Sequence, residues 1–207
     1  MKIVSNILIV ILLFISSDVF SQRKPNKKEL EDLTQRAMNQ VRIFQNNTSA
    51  IALADNSMST RNAAIRTTLK NFSKEATIEE QGLHSSRKKR YSAKDYLNTL
   101  LRRGSKSPIV VDFDIISKLD VDGLKEVDNG DGTVSYKGKV VFKQFYCKLK
   151  DPSQRTEPTK ANPNANCFYH DTTEKEVGVE ILRIKGRGGE IWVTLISYIH
   201  VKKVYQE

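Results

Sequence analysis

The chain has 207 residues, 39% of them hydrophobic and 28% charged, which suits one domain, or one domain with appendages, around a real core. Its formal charge of +10 favours anionic partners electrostatically yet selects none of them, and a solvated basic surface gives the same number. Two cysteines allow a single disulfide, and neither a glycine-rich nucleotide loop nor a specific catalytic motif occurs anywhere in the sequence.

The opening residues point to export. Lys2 begins a short positive region, residues 7–15 are an uninterrupted apolar run, and Val19-Phe20-Ser21 before Gln22 has the small final residue of a signal-peptidase site. The run is short for a transmembrane helix. Residues 1–21 are therefore expected to be a cleaved signal and 22–207 a single domain in the periplasm or outside the cell, with no integral membrane segment left. No cysteine lies near the cut to carry a lipid.

Apolar positions Leu30, Leu33, Ala37, Val41 and Phe44 recur at steps of three or four, predicting an amphipathic helix over 27–45. Residues 46–56 carry turn formers around a small apolar patch, and Ser59 or Thr60 is expected to cap a second helix reaching Phe72. A short extended piece containing Glu79 follows, then a polar loop with the run Arg87, Lys88, Lys89, Arg90. Ser92, with Asp95 three residues on, forms a capping box for a third helix that carries Tyr96, Leu97, Leu100 and Leu101 inward and ends at Gly104. Arg102 and Arg103 suit its last turn.

After Pro108 the apolar period changes to two. Residues 109–116 read as a strand, and 128–132 as a turn, since the spaced carboxylates and distal glutamate of a calcium loop are missing. Residues 133–149 form a long strand with Tyr136 and Tyr146 on its apolar face and Lys137, Lys139 and Lys143 on the other, where they are expected to meet Asp112 and Asp114. Gly138 is expected to mark a bulge or bend. The Pro- and Asn-rich stretch at about 150–171 reads as a loop insertion, pinned by a disulfide between Cys147 and Cys167. Two closing strands, 177–185 and 190–204, flank a glycine hairpin; in the second, odd positions from Ile191 to Val201 are apolar and even ones include Trp192, Tyr198 and His200.

Three helices followed by an antiparallel sheet of long strands resembles the nuclear transport factor 2-like, or cystatin-like α+β, superfamily, over roughly 27–205. The resemblance rests on the helix-to-strand passage 72–79, the third helix 93–101 and the strand Glu190-Ile191-Trp192-Val193; the 150–171 loop departs from it. More narrowly the chain is similar to exported members from Bacteroidetes-type bacteria. The resemblance implies a strongly curved, cone-like sheet whose mouth can hold a small ligand and whose outer face can form a homodimer.

Three functions follow as expectations. The first is a non-enzymatic module for an unknown small molecule or protein, with Trp192, Tyr198 and His200 as binding residues and no cofactor. The second is ketosteroid-isomerase or dehydratase chemistry, which needs a base and an oxyanion donor in a dry pocket. Glu79, Asp95 and His200 are the candidate bases, with Tyr91, Tyr136 and Tyr146 as donors, although Asp95 is also a cap and Glu79 and His200 also suit a strand surface. The third is attachment to an anionic polymer or surface through Arg87, Lys88, Lys89, Arg90, Arg102, Arg103 and Lys106. Metal chemistry has little support: His84, His170 and His200 lie far apart, and His170 with Glu174 is the one local pair at helical spacing.

Overall fold

A computed structural model of the chain describes residues 24–83, 85–107, 109–131, 133–150, 167–186 and 189–205. The proposed signal at 1–21, His84 and the centre of the expected loop lie outside the described residues. Three helices, α1 (Lys27–Ala52), α2 (Met58–Leu69) and α3 (Ala93–Lys106), pack against a seven-stranded sheet, so the class is α+β. The strands are β1 (Phe72–Glu80), β2 (Lys89–Ser92), β3 (Ile109–Ser117), β4 (Lys125–Asp128), β5 (Val134–Leu149), β6 (Cys167–Gly186) and β7 (Gly189–Tyr205). Their order is β2-β1-β7-β6-β5-β3, with β4 also on β5. The sheet is mixed rather than wholly antiparallel, because β1 runs parallel to β7, and it is open at both edges.

The helices start where the capping residues allow. Asn26 accepts the Glu29 amide at 2.9 Å while the Glu29 carboxylate accepts the Asn26 amide at 2.8 Å, a complete capping box for α1. That helix runs past residue 45, through the expected turn. Thr48, Ile51 and Ala52 are fully buried there, Thr48 donates to the Phe44 carbonyl at 2.7 Å, and Asn47 reaches Thr68 at 2.9 Å. Tertiary packing thus outweighs the turn preference of the two asparagines. Ser57, not Ser59 or Thr60, caps α2, and Phe72 already belongs to β1.

Helix α3 begins at Ser92 as expected but continues to Lys106 through Gly104. A Cβ at Gly104 would sit 2.3 Å from the Ala52 carbonyl oxygen, so the residue is there for close approach to the end of α1 and not as a stop. Arg61, 2% exposed, closes this junction. It donates to the Ile51 carbonyl at 2.7 Å, the Leu101 carbonyl at 2.9 Å and the Ser105 hydroxyl at 2.9 Å, and so satisfies backbone acceptors near the ends of two helices.

Strand β7 departs from a simple alternation at two places, leaving Ser197 and Lys202 unopposed, and the first of them splits its apolar face. Gly178 pairs with Tyr198 and Val179 with Ile196, which leaves Ser197 unopposed as a bulge. Before it the even residues Trp192, Thr194 and Ile196 face the helices; after it the odd residues Ile199 and Val201 do. The expected single odd-numbered apolar face of β7 is therefore two half-faces, and Ile191 is 51% exposed.

On β5 the register runs unbroken through Gly138, opposite Val179, so no bulge lies there. A Cβ at Gly138 would come within 2.4 Å of the Leu119 side chain, which needs that space. Lys143 does face Asp114, but Asp112 pairs with Phe145, while Lys139 and Lys137 turn to Glu176 at 3.0 Å and Glu180 at 3.4 Å on β6. Strands β4 and β5 pair as an antiparallel hairpin about the expected turn, with the Asn129 amide on the Thr133 carbonyl at 3.0 Å. Cys147 and Cys167 form a disulfide, with Cα atoms 5.6 Å apart, that ties β5 to β6 beside Phe145 on the outer sheet face. Residues 167–171 lie in β6 and not in the loop.

Candidate ligand-binding cavity

Strands β5 and β6 continue past the helices toward the disulfide, and their register puts a row of polar residues on the helix side. Tyr146 lies opposite Asp171, Gln144 opposite Thr173, Phe142 opposite Lys175 and Lys148 opposite Tyr169. Apolar residues occupy the same face further along β6, at Val177, Val179 and Ile181. The core face thus changes from oily to polar where helical cover ends. Glu80 to Gly82 at the end of β1 and Arg103 in the last turn of α3 border the space, a half-open cavity of about 500 Å³. Tyr146 and Tyr169 meet edge to face in its wall, their rings 6.3 Å apart.

Lys175 is the most unusual member. It is 2% exposed, its ammonium lies 5.6 Å from the centre of the Tyr96 ring, and it makes no hydrogen bond or ion pair among the described residues. Burial pulls its pKa down to about 8, against the opposing pull of the Glu80, Asp171 and Glu79 carboxylates. The Gln144 side-chain oxygen, on the neighbouring strand, is buried with no hydrogen-bond partner, while the rest of its amide is in hydrogen-bonding reach of the Tyr96 hydroxyl.

Other groups in the cavity have partners. Arg103 donates to Glu80 at 2.5 Å, and Tyr169 donates to Asp171 at 2.6 Å while accepting the Leu83 amide at 3.2 Å. Burial raises the Asp171 carboxyl above its ordinary value despite that hydrogen bond, and burial with the bond to Asp171 pushes Tyr169 up to about 12. Burial also raises Tyr146, with Arg103 opposing.

The residues singled out in the sequence are dispersed. Tyr146, Arg87, Lys89 and Arg103 line the cavity. Glu79 faces the other side of the sheet, where it accepts Arg90 at 2.9 Å and the Val201 amide at 3.2 Å, with Lys88 at 3.7 Å. Burial alone would raise its carboxyl, but the Arg90 hydrogen bond, His200 and Lys88 together hold it below the usual range. His200 stacks on Tyr198 at 4.3 Å on that outer face, and Tyr198 donates to Glu176 at 2.9 Å.

Trp192 does not join them. The Ser197 bulge turns it to the helix side, against Leu33, Ile181 and the Tyr136 ring at 6.0 Å. The Tyr136 hydroxyl donates to Glu126 at 3.1 Å, and Asp95 accepts the Ser92 hydroxyl at 2.7 Å in the α3 cap. Tyr91 packs 6.5 Å from Tyr96.

Of the basic residues, Arg87, Lys89 and Arg103 line the cavity, and Lys88, Arg90, Arg102 and Lys106 do not. Lys88 donates to the Val201 carbonyl, Arg90 serves Glu79, Arg103 serves Glu80, and exposed Arg102 contacts Thr99 at 3.1 Å within its helix. Lys106 is exposed in the last turn of α3. His170 lies near Phe145, at 6.3 Å, and Glu174 accepts the Tyr205 hydroxyl at 2.7 Å. Among the described residues no group of three or more His, Cys, Asp or Glu could hold a metal ion, and no helix is long and apolar enough to cross a membrane.

Sequence reading missed Lys175, Asp171, Tyr169, Glu80 and Gln144. A signal was available: the alternating set Asp171, Thr173, Lys175, Val177, Val179 and Ile181 marks one continuous strand face that turns from apolar to polar toward Cys167.

No protein-family model and no curated protein matches the sequence. Among solved structures the chain is similar to an IcmL-like type IV secretion system protein from Legionella pneumophila subsp. pneumophila str. Philadelphia 1. The two share 11% identity over 89% of this chain and 97% of that one, with a TM-score of 0.39. A likeness of that degree bears on neither family nor function.

Proposed function

We propose that the chain is an exported, non-enzymatic binding module of nuclear transport factor 2-like, cone-shaped build, which holds a small organic molecule in the cavity at the polar end of β5 and β6. The observation that carries this reading is a buried ammonium, Lys175, without a hydrogen-bond or ion-pair partner among the described residues, facing a cavity of about 500 Å³ whose wall includes aromatic surface. Buried polar groups without partners are costly, and a ligand that supplies the partner removes the cost. Export is supported by the disulfide and by the signal-like start of the sequence. The outer sheet face carries cross-strand charge pairs such as Lys139 with Glu176, which suits solvent better than a dry homodimer interface. The test is ligand-detected NMR with small aromatic alcohols and acids. Binding by the wild-type chain that is lost in Thr173→Trp, and in Lys148→Trp as a second blocking variant, supports the reading; binding unchanged in both contradicts it.

Isomerase chemistry is the second reading, favoured by one observation: Asp171, with a raised carboxyl pKa, shares the cavity with the Tyr146 hydroxyl. Proton exchange at the α-carbon of a ketone, followed by deuterium incorporation and abolished by Asp171→Asn, would establish it. No exchange above the buffer rate would end it.

A further inference from the structure

Resting on the cavity reading, we infer that the ligand is a small organic acid that carries a hydrogen-bond donor next to its carboxylate and an aromatic or similarly flat body. The carboxylate meets the Lys175 ammonium, the neighbouring donor meets the Gln144 side-chain oxygen, and the body lies along Tyr146 and Tyr169.

The charge sign comes from what is already engaged. Two carboxylates line the cavity, and each has a partner: Glu80 has Arg103, and Asp171 has the Tyr169 hydroxyl. Five cationic side chains among the described residues line it as well, and the most deeply buried of them, Lys175, has no hydrogen bond or ion pair there, the Tyr96 ring lying 5.6 Å from its ammonium. An anion is therefore the species that finds an unpaired opposite charge, in surroundings that screen it poorly.

The donor comes from the second orphan. Gln144 and Lys175 sit diagonally on adjacent strands, since Gln144 pairs with Thr173 and Phe142 with Lys175, so their side chains share one patch of the inner face. One group there needs an acceptor and the other needs a donor. A fully deprotonated inorganic anion such as sulfate supplies the acceptor alone, while a carboxylate flanked by a hydroxyl supplies both. Volume and wall chemistry set the body: about 500 Å³ bounded by two tyrosine rings is far more than an inorganic ion fills.

The test uses mandelate as the probe on the full chain, with phenylacetate lacking the hydroxyl and mandelamide lacking the charge. The readout is the side-chain NMR signal of Lys175 in protein labelled at lysine, identified by its loss in Lys175→Met. A bound carboxylate favours the ammonium, so saturating mandelate, to roughly 50 mM, is expected to raise the Lys175 titration midpoint by about one pH unit or more. The Glu80, Asp171 and Glu79 carboxylates act on that midpoint with and without probe, so the difference reports the ligand. Phenylacetate is expected to bind at least about threefold more weakly than mandelate, and mandelamide to leave the midpoint unmoved. A midpoint that mandelate does not move, or that mandelamide moves equally, overturns the inference. Benzyl alcohol separates the two claims. If it occupies the cavity while mandelate leaves Lys175 unchanged, the cavity reading stands and the organic-acid inference falls; if neither enters, both fall.

Discussion

The Lys175 ammonium lies 5.6 Å from the centre of the Tyr96 ring and makes no hydrogen bond or ion pair to any described residue. A cation held over an aromatic face and cut off from water is stabilised far less than one in a salt bridge. The arrangement has a consequence in pH. The unfolded chain keeps this proton to about pH 10.5, whereas the folded chain releases it at about 8, so the unfolded state binds more protons between those values. Stability is therefore expected to rise from pH 8 to pH 10, by on the order of 3 kcal/mol at most. Urea unfolding at several pH values should show this rise in wild type and a flat profile in Lys175→Met. The series stops at pH 10 because Tyr136, Tyr169 and Tyr198, pushed up to about 12, reverse the sign above it.

Replacing Arg61 with Met removes the side-chain donor of the Ile51 carbonyl at the junction of α1 and α3 and one of the two side-chain donors of the Leu101 carbonyl, which keeps the Ser105 hydroxyl. The expected loss is about 2–4 kcal/mol, and Arg61→Lys is not expected to restore it, because one ammonium cannot span the three acceptors. Gly104→Ala, which drives a methyl group to 2.3 Å from the Ala52 oxygen, is expected to cost about 1–3 kcal/mol. Thermal unfolding of the three variants checks both statements.

Reduction of the Cys147–Cys167 bridge frees a loop with a sequence separation of 20 residues. The double substitution to Ser is expected to lower stability by about 3 kcal/mol, with the fold retained, since the bridge lies on the outer face apart from the main core. Chemical denaturation with and without reductant should give that difference in wild type and none in the double variant.

Glu79 supports the sheet at neutral pH through Arg90 and the Val201 amide. Its carboxyl is held below the ordinary range in the folded state, so its contribution is complete above the unfolded pKa and lost as pH falls through the folded one. Glu79→Gln is expected to cost about 1 kcal/mol at pH 7, given the exposed Arg90 partner, and nearly nothing at about pH 3. Equal costs at both pH values would contradict the assignment.

Much of the architecture is legible in the residues themselves. The three-or-four spacing of Leu33, Ala37, Val41 and Phe44, the Ser92 cap and the change to period two after Pro108 each encode a local preference that the packed structure keeps. The cavity is harder to read because it depends on register. Whether Trp192 and Tyr198 share a face is decided by one unopposed residue, Ser197, and a bulge has no strong sequence mark when no glycine makes it. Lys175 looks like an ordinary surface lysine until α3 and β1 are placed around it. The Asn46-Asn47 pair misleads in the opposite direction, since burial of Thr48 and Ile51 keeps α1 helical where propensity favours a turn.

The most direct test of the organic-acid cavity is a crystal structure of the protein grown with mandelate. The account predicts a molecule lying along Tyr146 and Tyr169 with its carboxylate at hydrogen-bonding distance, about 3 Å, from the Lys175 ammonium and its hydroxyl on Gln144. A cavity closed by its own side chains, with Lys175 paired to Glu80 or Asp171, would contradict it.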